Sequence, residues 1–190
     1  MLILLDQIIN TPLRSLQTGM EVGTLLAPII NEKTFKIIAW QVETPEPSPA
    51  PVVIHSEDLR EFSPIGIIID DEEKIMDATS LVRLQKIIQR GFDFHQLPVF
   101  SESGEGLGRI EEIAFDPEDF SIVQFFLTPA LKTRLLSSTL IINKRQVVKL
   151  TKDKMIVRDN SKKLPSVDKL FGKASTDVVV TETPSQKKFD

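Results

Sequence analysis

Only two side chains in this sequence exchange protons near neutral pH as ordinary groups, His55 and His95. Neither stands in a pattern that catalysis needs. His55 follows the apolar run ending at Ile54, and His95 follows Phe94. The serines at 101, 103, 137 and 138 have no basic or acidic partner at a recognisable interval, so nucleophilic catalysis has no constellation to rest on. Cysteine is absent, which excludes disulfides, thiolate metal sites and cysteine nucleophiles. Carboxylates cluster at Asp70, Asp71, Glu72 and Glu73, and again at Asp116, Glu118 and Asp119, but neither group has the spacing of a calcium loop. Both read as solvated turns that end strands. The glycines at 104, 106 and 108 lack the spacing of a dinucleotide-binding loop and precede a strand where such a loop opens a helix. The expectation is a protein without catalytic residues, metal or cofactor, and not an enzyme.

One binding signal remains. Lys144, Arg145, Lys149, Lys152, Lys154 and Arg158, followed by Lys162 and Lys163, give the C-terminal part a positive edge on a chain of net charge −4. Two readings compete: cations that protect an edge strand from aggregation, or a contact for an anion or partner. The overall acidity disfavours nucleic acid, which needs a concentrated basic face.

The elements that must position these residues come from an internal repeat. At an offset of 85 residues, 19–43 matches 104–128: Gly19 falls on Gly104, Gly23 on Gly108, Phe35 on Phe120 and Ile37 on Ile122, with apolar residues facing apolar residues between them. At an offset of 88 the match resumes, setting 52–54 on 140–142 and 67–69 on 155–157. Each copy reads as strands. The Gly-x-x-x-Gly segments mark hairpin tips, and the broken alternation after Ile110 marks a β-bulge. Pro28 pushes its strand toward an edge or a bulge. Asn31 and Asp116 open type I turns, after which strands start at Phe35 and Phe120. The four prolines at 45, 47, 49 and 51 forbid regular hydrogen bonding.

Between the copies, Leu81, Leu84, Ile87 and Ile88 recur at helical spacing, with Thr79 or Ser80 as cap and Gly91 as stop. The basic residues of this helix, Arg83, Lys86 and Arg90, are expected to face the acidic run at 70–73. Residues 130–136 suit a helical turn or two. The organisation expected is a first β-unit over 1–77, a helical linker over 78–92, a second β-unit over 93–160 and a flexible tail over 161–190. Within the tail, 178–180 suits a transient strand or a peptide ligand, and 164–165 and 170–171 suit short docking peptides.

The glycine-bracketed tip, the strand ending at Asp116-Pro-Glu-Asp119, the following Val- and Phe-rich strand, and the closing segments at 140–148 and 155–157 together resemble the PRC-barrel domain. That family includes the cytoplasmic part of the photosynthetic reaction-centre H subunit and the C-terminal domain of the ribosome maturation factor RimM. The resemblance covers roughly 13–71 and 94–159. It implies a mainly β fold, two tandem, small, strongly bent barrels of about five or six strands, used for protein contacts and carrying no conserved catalytic site.

The functional expectation is a non-catalytic adaptor with a protein partner, located in the cytoplasm. An RNA- or ribosome-associated maturation factor using the basic C-terminal edge is the first alternative. A membrane-proximal accessory held by a partner is the second, because no signal peptide, membrane span or lipidation motif is read in the sequence. Homo-oligomerisation stays open, including exchange of strands between copies.

Overall fold

The computed structural model describes residues 1–46, 48–63, 65–129 and 139–159. The helical turns expected at 130–136 and the tail segments from 160 onward lie outside the described residues. The chain is mainly β. Its elements run β1 (Ile3–Leu4), β2 (Pro12–Ser15), β3 (Glu21–Asn31), β4 (Lys36–Glu43), β5 (Val52–His55), β6 (Leu59–Ser63), β7 (Gly66–Ile69), β8 (Ile75–Asp77), helix α1 (Val82–Ile88), β9 (Pro98–Ser101), β10 (Gly106–Phe115), β11 (Ile122–Pro129), β12 (Leu140–Asn143), β13 (Val147–Leu150) and β14 (Met155–Val157).

Two seven-stranded sheets result, with strand orders β6-β7-β2-β3-β4-β5-β8 and β13-β14-β9-β10-β11-β12, the last sheet taking β1 against β10. The two strand orders correspond from the edge inward, β6-β7-β2-β3-β4-β5 against β13-β14-β9-β10-β11-β12. In both sheets the strand entering the glycine hairpin pairs in parallel with the late strand that follows the edge strand, Leu13 with Ile67 and Val99 with Met155. Each sheet is an open, curled half-barrel among the described residues. Its long central strand bends at bulges in equivalent places, between Leu25 and Ala27 in β3 and between Ile110 and Glu112 in β10. The break in alternation after Ile110 is that bulge.

Gly19 and Gly104 sit at the hairpin tips with φ of 71° and 87°. The second glycine of each pair is not at the tip. Gly23 and Gly108 lie inside β3 and β10, where the antiparallel partner strand, β4 or β11, approaches so closely that a Cβ on Gly23 would stand 2.7 Å from Val42 Cγ1, and one on Gly108 would overlap the Thr128 carbonyl oxygen. Gly108 also has φ of 148°. Glycine is there for close backbone approach. Pro28 pairs only with β4, opposite Trp40, on a stretch of β3 beyond the reach of β2. It lacks the donor that a further strand would need. The equivalent stretch of β10 accepts β1, with Leu4 opposite Ala114 and Ile3 opposite Phe115.

The turns after β3 and β10 correct one expectation. Phe35 and Phe120 do not begin strands. Each closes a five-residue turn by donating its N–H to the carbonyl of Asn31 or Asp116, at 2.8 Å in both, and each has φ of 56°. Left-handed backbone is costly for a bulky residue, and packing holds it. The two turns meet: Ile37 N–H donates to the Phe120 carbonyl at 2.9 Å, and Ile122 N–H donates to the Phe35 carbonyl at 2.8 Å. This reciprocal pair, with Lys36 bridged to Ser121, marks a local two-fold relation between the copies. The Phe35 ring then reaches into the second copy, 5.9 Å from Phe94 and 6.1 Å from Phe125, while Phe120 packs against Phe62 of the first copy at 6.3 Å. Trp40 and Phe115 meet across the same seam. One apolar core consequently spans both sheets, and neither unit of this size needs to bury its concave face alone.

The outer faces are covered by exchange as well. Leu2 and Leu4, which precede the first sheet, pack on Ala114, Phe126 and Ile141 of the second. Helix α1, which precedes the second sheet, packs Leu84 on Ile29, Ala39 and Val53 of the first. The cap expected from Thr79 or Ser80 is not used: Leu81 occupies the N-cap position without a side-chain bond, and Asp77 instead caps the 3-10 turn at Ala78–Ser80. Among the described residues no ion pair joins the acidic run at 70–73 to this helix. Asp70 pairs with Arg60 at 2.9 Å, and Arg90 pairs with Glu32 at 3.1 Å.

Candidate functional site

Turn and cap chemistry absorbs most of the polar clusters. Asp71 accepts the Glu73 N–H, Asp116 accepts that of Glu118, and Asp119 accepts that of Ser121 while pairing with Lys36 at 3.4 Å. The bonds from Ser121 hold the Asp119 carboxyl below the usual range. Among the described residues no group of three or more acids and histidines is placed to hold a metal. His55 ends β5 opposite Ala39 and opens a 3-10 turn, with no side-chain capping bond.

The serines do acquire a partner that their spacing hides. Ser101 and Ser103 share a hydrogen bond of 2.7 Å, and Ser103 donates from both its hydroxyl and its N–H to Asp159, 56 residues further on. These bonds lower the Asp159 pKa. The chain of contacts ties the hairpin tip to the end of β14. Its one basic group is the Asp159 carboxylate, made a weaker base by these same bonds, and the contacts fasten the tip to the strand end.

A second pairing comes from the exchanged N-terminus. The Asp6 N–H donates to Glu112 Oε2 at 3.2 Å across 106 residues, and Ile113 N–H donates to Glu112 Oε1. Burial, and then the nearby Asp6 charge, push the Glu112 carboxyl up, against the pull of those N–H bonds. The pair borders a cleft of about 430 Å³ between the sheets, where Phe92, Asp93 and His95 also stand. No signal in the sequence links residue 6 to residue 112, because β1 must first cross to the other sheet. A carboxyl pair beside an imidazole invites an acid–base reading, but no hydroxyl, amide or cation among the cleft-lining side chains converges on it to hold a reacting group.

The six basic residues divide. Lys144 is spent on the seam between the copies, donating to the Thr34 carbonyl at 3.0 Å with its ammonium 5.5 Å from the Phe35 ring centre. Lys152 donates to the Arg90 carbonyl at 2.8 Å, just beyond α1. Lys154 stands over the Phe100 ring. Arg158 donates its backbone N–H to Gln146. Arg145 and Lys149 are exposed, and among the described residues no side-chain bond or ion pair engages either. They flank Val148, 50% exposed, on β13, which among the described residues pairs only with β14 and so offers an open edge. The basic stretch is thus two exposed cations on a sheet edge, with Lys154 and Arg158 nearby and two lysines committed to packing.

Compared with known proteins, residues 90–164 match the PRC-barrel domain, which takes in the whole second sheet apart from the exchanged strand β1. That domain is generally a protein-interaction module. No curated protein matches the chain. No helix among the described residues is long and apolar enough to cross a membrane.

Proposed function

We propose that this protein is a non-catalytic adaptor built from two PRC-type units in tandem, acting in the cytoplasm and contacting a protein partner through the open edge of the second unit. The observation that carries this reading is the exposed pair Arg145, in the 3-10 turn leading into β13, and Lys149, on β13, inside the segment that matches the domain. The first unit is read as a PRC-type unit because its strand order, parallel pairing and bulges repeat those of the matched one. An open edge with an apolar residue between cations suits an extended, acidic partner segment, whose backbone completes the ladder while its carboxylates meet the cations.

The test compares the full chain with the doubly reversed chain Arg145→Glu/Lys149→Glu as baits in extract from the source cells. The reading expects a protein retained by the first and lost by the second. Identical recovery by both baits refutes it, as does a robust turnover abolished by substituting Asp6, His95 or Glu112. Saturable binding of structured RNA at physiological salt, lost in the reversed chain, transfers the edge to the RNA reading.

A further inference from the structure

We infer that copies of this chain associate head to tail, with edge strand β13 of one copy against edge strand β6 of the next. The repeat supplies the argument. At the offset of 88 residues Glu61 of β6 falls on Lys149 of β13, Glu57 falls on Arg145 in the 3-10 turns that lead into these strands, and Arg60 falls on Val148, so acid stands where base stands at two equivalent places along the edges. The register makes the comparison structural. Glu61 lies opposite Ile68 just past a bulge, and Lys149 lies opposite Ile156 just past the same bulge. Among the described residues both β6 and β13 terminate their sheets, and within one chain they do not pair with each other.

The acids that could neutralise the first edge are partly committed. Asp70 is held by Arg60 and Asp58 by Lys74, which leaves Glu57 and Glu61 as its exposed charges without a side-chain partner among the described residues. Alongside β6 runs a groove of about 850 Å³, lined by Glu57, Glu61, Glu118 and Asp119 together with Lys36 and Arg60. Each edge therefore repels its own kind, acid against acid or base against base, and attracts the other. An edge charged only to resist aggregation needs no such alternation, since either sign protects equally well. A contact between different edges leaves a free β6 at one end and a free β13 at the other, so growth is open rather than closed into a dimer. Edge strands of four and five residues offer few backbone bonds, and the association is correspondingly weak and salt-sensitive.

Sedimentation velocity on the purified full chain, over roughly 10 to 500 micromolar, covers the range in which so small an interface populates. At low salt the average mass is expected to rise steadily with concentration, and at about 0.5 M salt the rise is expected to vanish. Glu61→Lys and Lys149→Glu alone should each weaken association by roughly tenfold or more, and the double variant should restore it. Melting curves confirm that each variant is folded, and Lys149→Gln, a milder change, should give an intermediate loss. A wild-type chain that stays monomeric, a dimer indifferent to both charge changes, or a double variant that remains dissociated each overturns the inference. Because it needs no partner protein, its failure leaves the adaptor reading standing, and the converse holds too.

Discussion

Exchanging Phe120 for alanine and for glycine separates what its ring contributes to the core from what its left-handed backbone costs. The ring is 7% exposed and packs on Phe62 and Phe115, so Phe120→Ala removes a nearly full core side chain at a cost of about 3–5 kcal/mol. The backbone, however, sits at φ of 56°, where any residue with a Cβ is disfavoured by about 1–2 kcal/mol. Phe120→Gly loses the same ring but relieves that strain, and it should lie about 1 kcal/mol above the alanine variant after the greater chain entropy of glycine is allowed for. The usual order, glycine below alanine, is inverted. The backbone bonds from Phe120 to Asp116 and from Ile37 to Phe120 are available to both variants, so they cancel in the comparison. Urea unfolding followed by Trp40 fluorescence reads the difference as a shift in midpoint at constant slope. A glycine variant less stable than the alanine variant would refute the strained-turn argument, and with it the claim that packing across the seam holds this conformation.

The remaining expectations concern the close strand approach and the buried acid. Gly108→Ala, whose Cβ would overlap the Thr128 carbonyl, should destabilise by more than about 3 kcal/mol, whereas Gly104→Ala, open to solvent and strained only by its φ, should cost about 1 kcal/mol; thermal unfolding ranks them, and equal losses would contradict the close strand approach. For Glu112 the folded pKa is raised above its ordinary value of 4.5, so the stability linked to it is fully present below that value and is lost as pH rises through the raised one. Asp6→Asn removes one of the charges that raise it and should raise stability at neutral pH. The same variant should flatten the decline in stability as pH rises above 4.5, and an unchanged slope in urea midpoints would dismiss the pairing.

Much of each sheet was legible in the residues themselves. The hairpin tips at Gly19 and Gly104, the bulge after Ile110, the edge placement of Pro28 and the helix through Leu84 all follow from local rules of backbone freedom and alternating burial. The same local rules misplaced Phe35 and Phe120, because an aromatic at the head of a β-rich run reads as a strand residue, and only a neighbouring copy makes a left-handed phenylalanine affordable. They also overcounted the basic site. Lys144 and Lys152 look like their neighbours in sequence, yet the carbonyls of Thr34 and Arg90 come within reach of their ammonium groups only after the sheets meet.

The sequence alone determined that the chain is mainly β and where its glycine hairpin tips fall, since these depend on residues a few positions apart. The tertiary structure decided how the copies use each other: the exchange of β1 and α1 across the pair, the shared aromatic core, the Asp6–Glu112 contact and which cations remain exposed on an edge. Those contacts join residues dozens of positions apart, and they form only when two curved sheets bury their concave faces together, a requirement that no local pattern encodes.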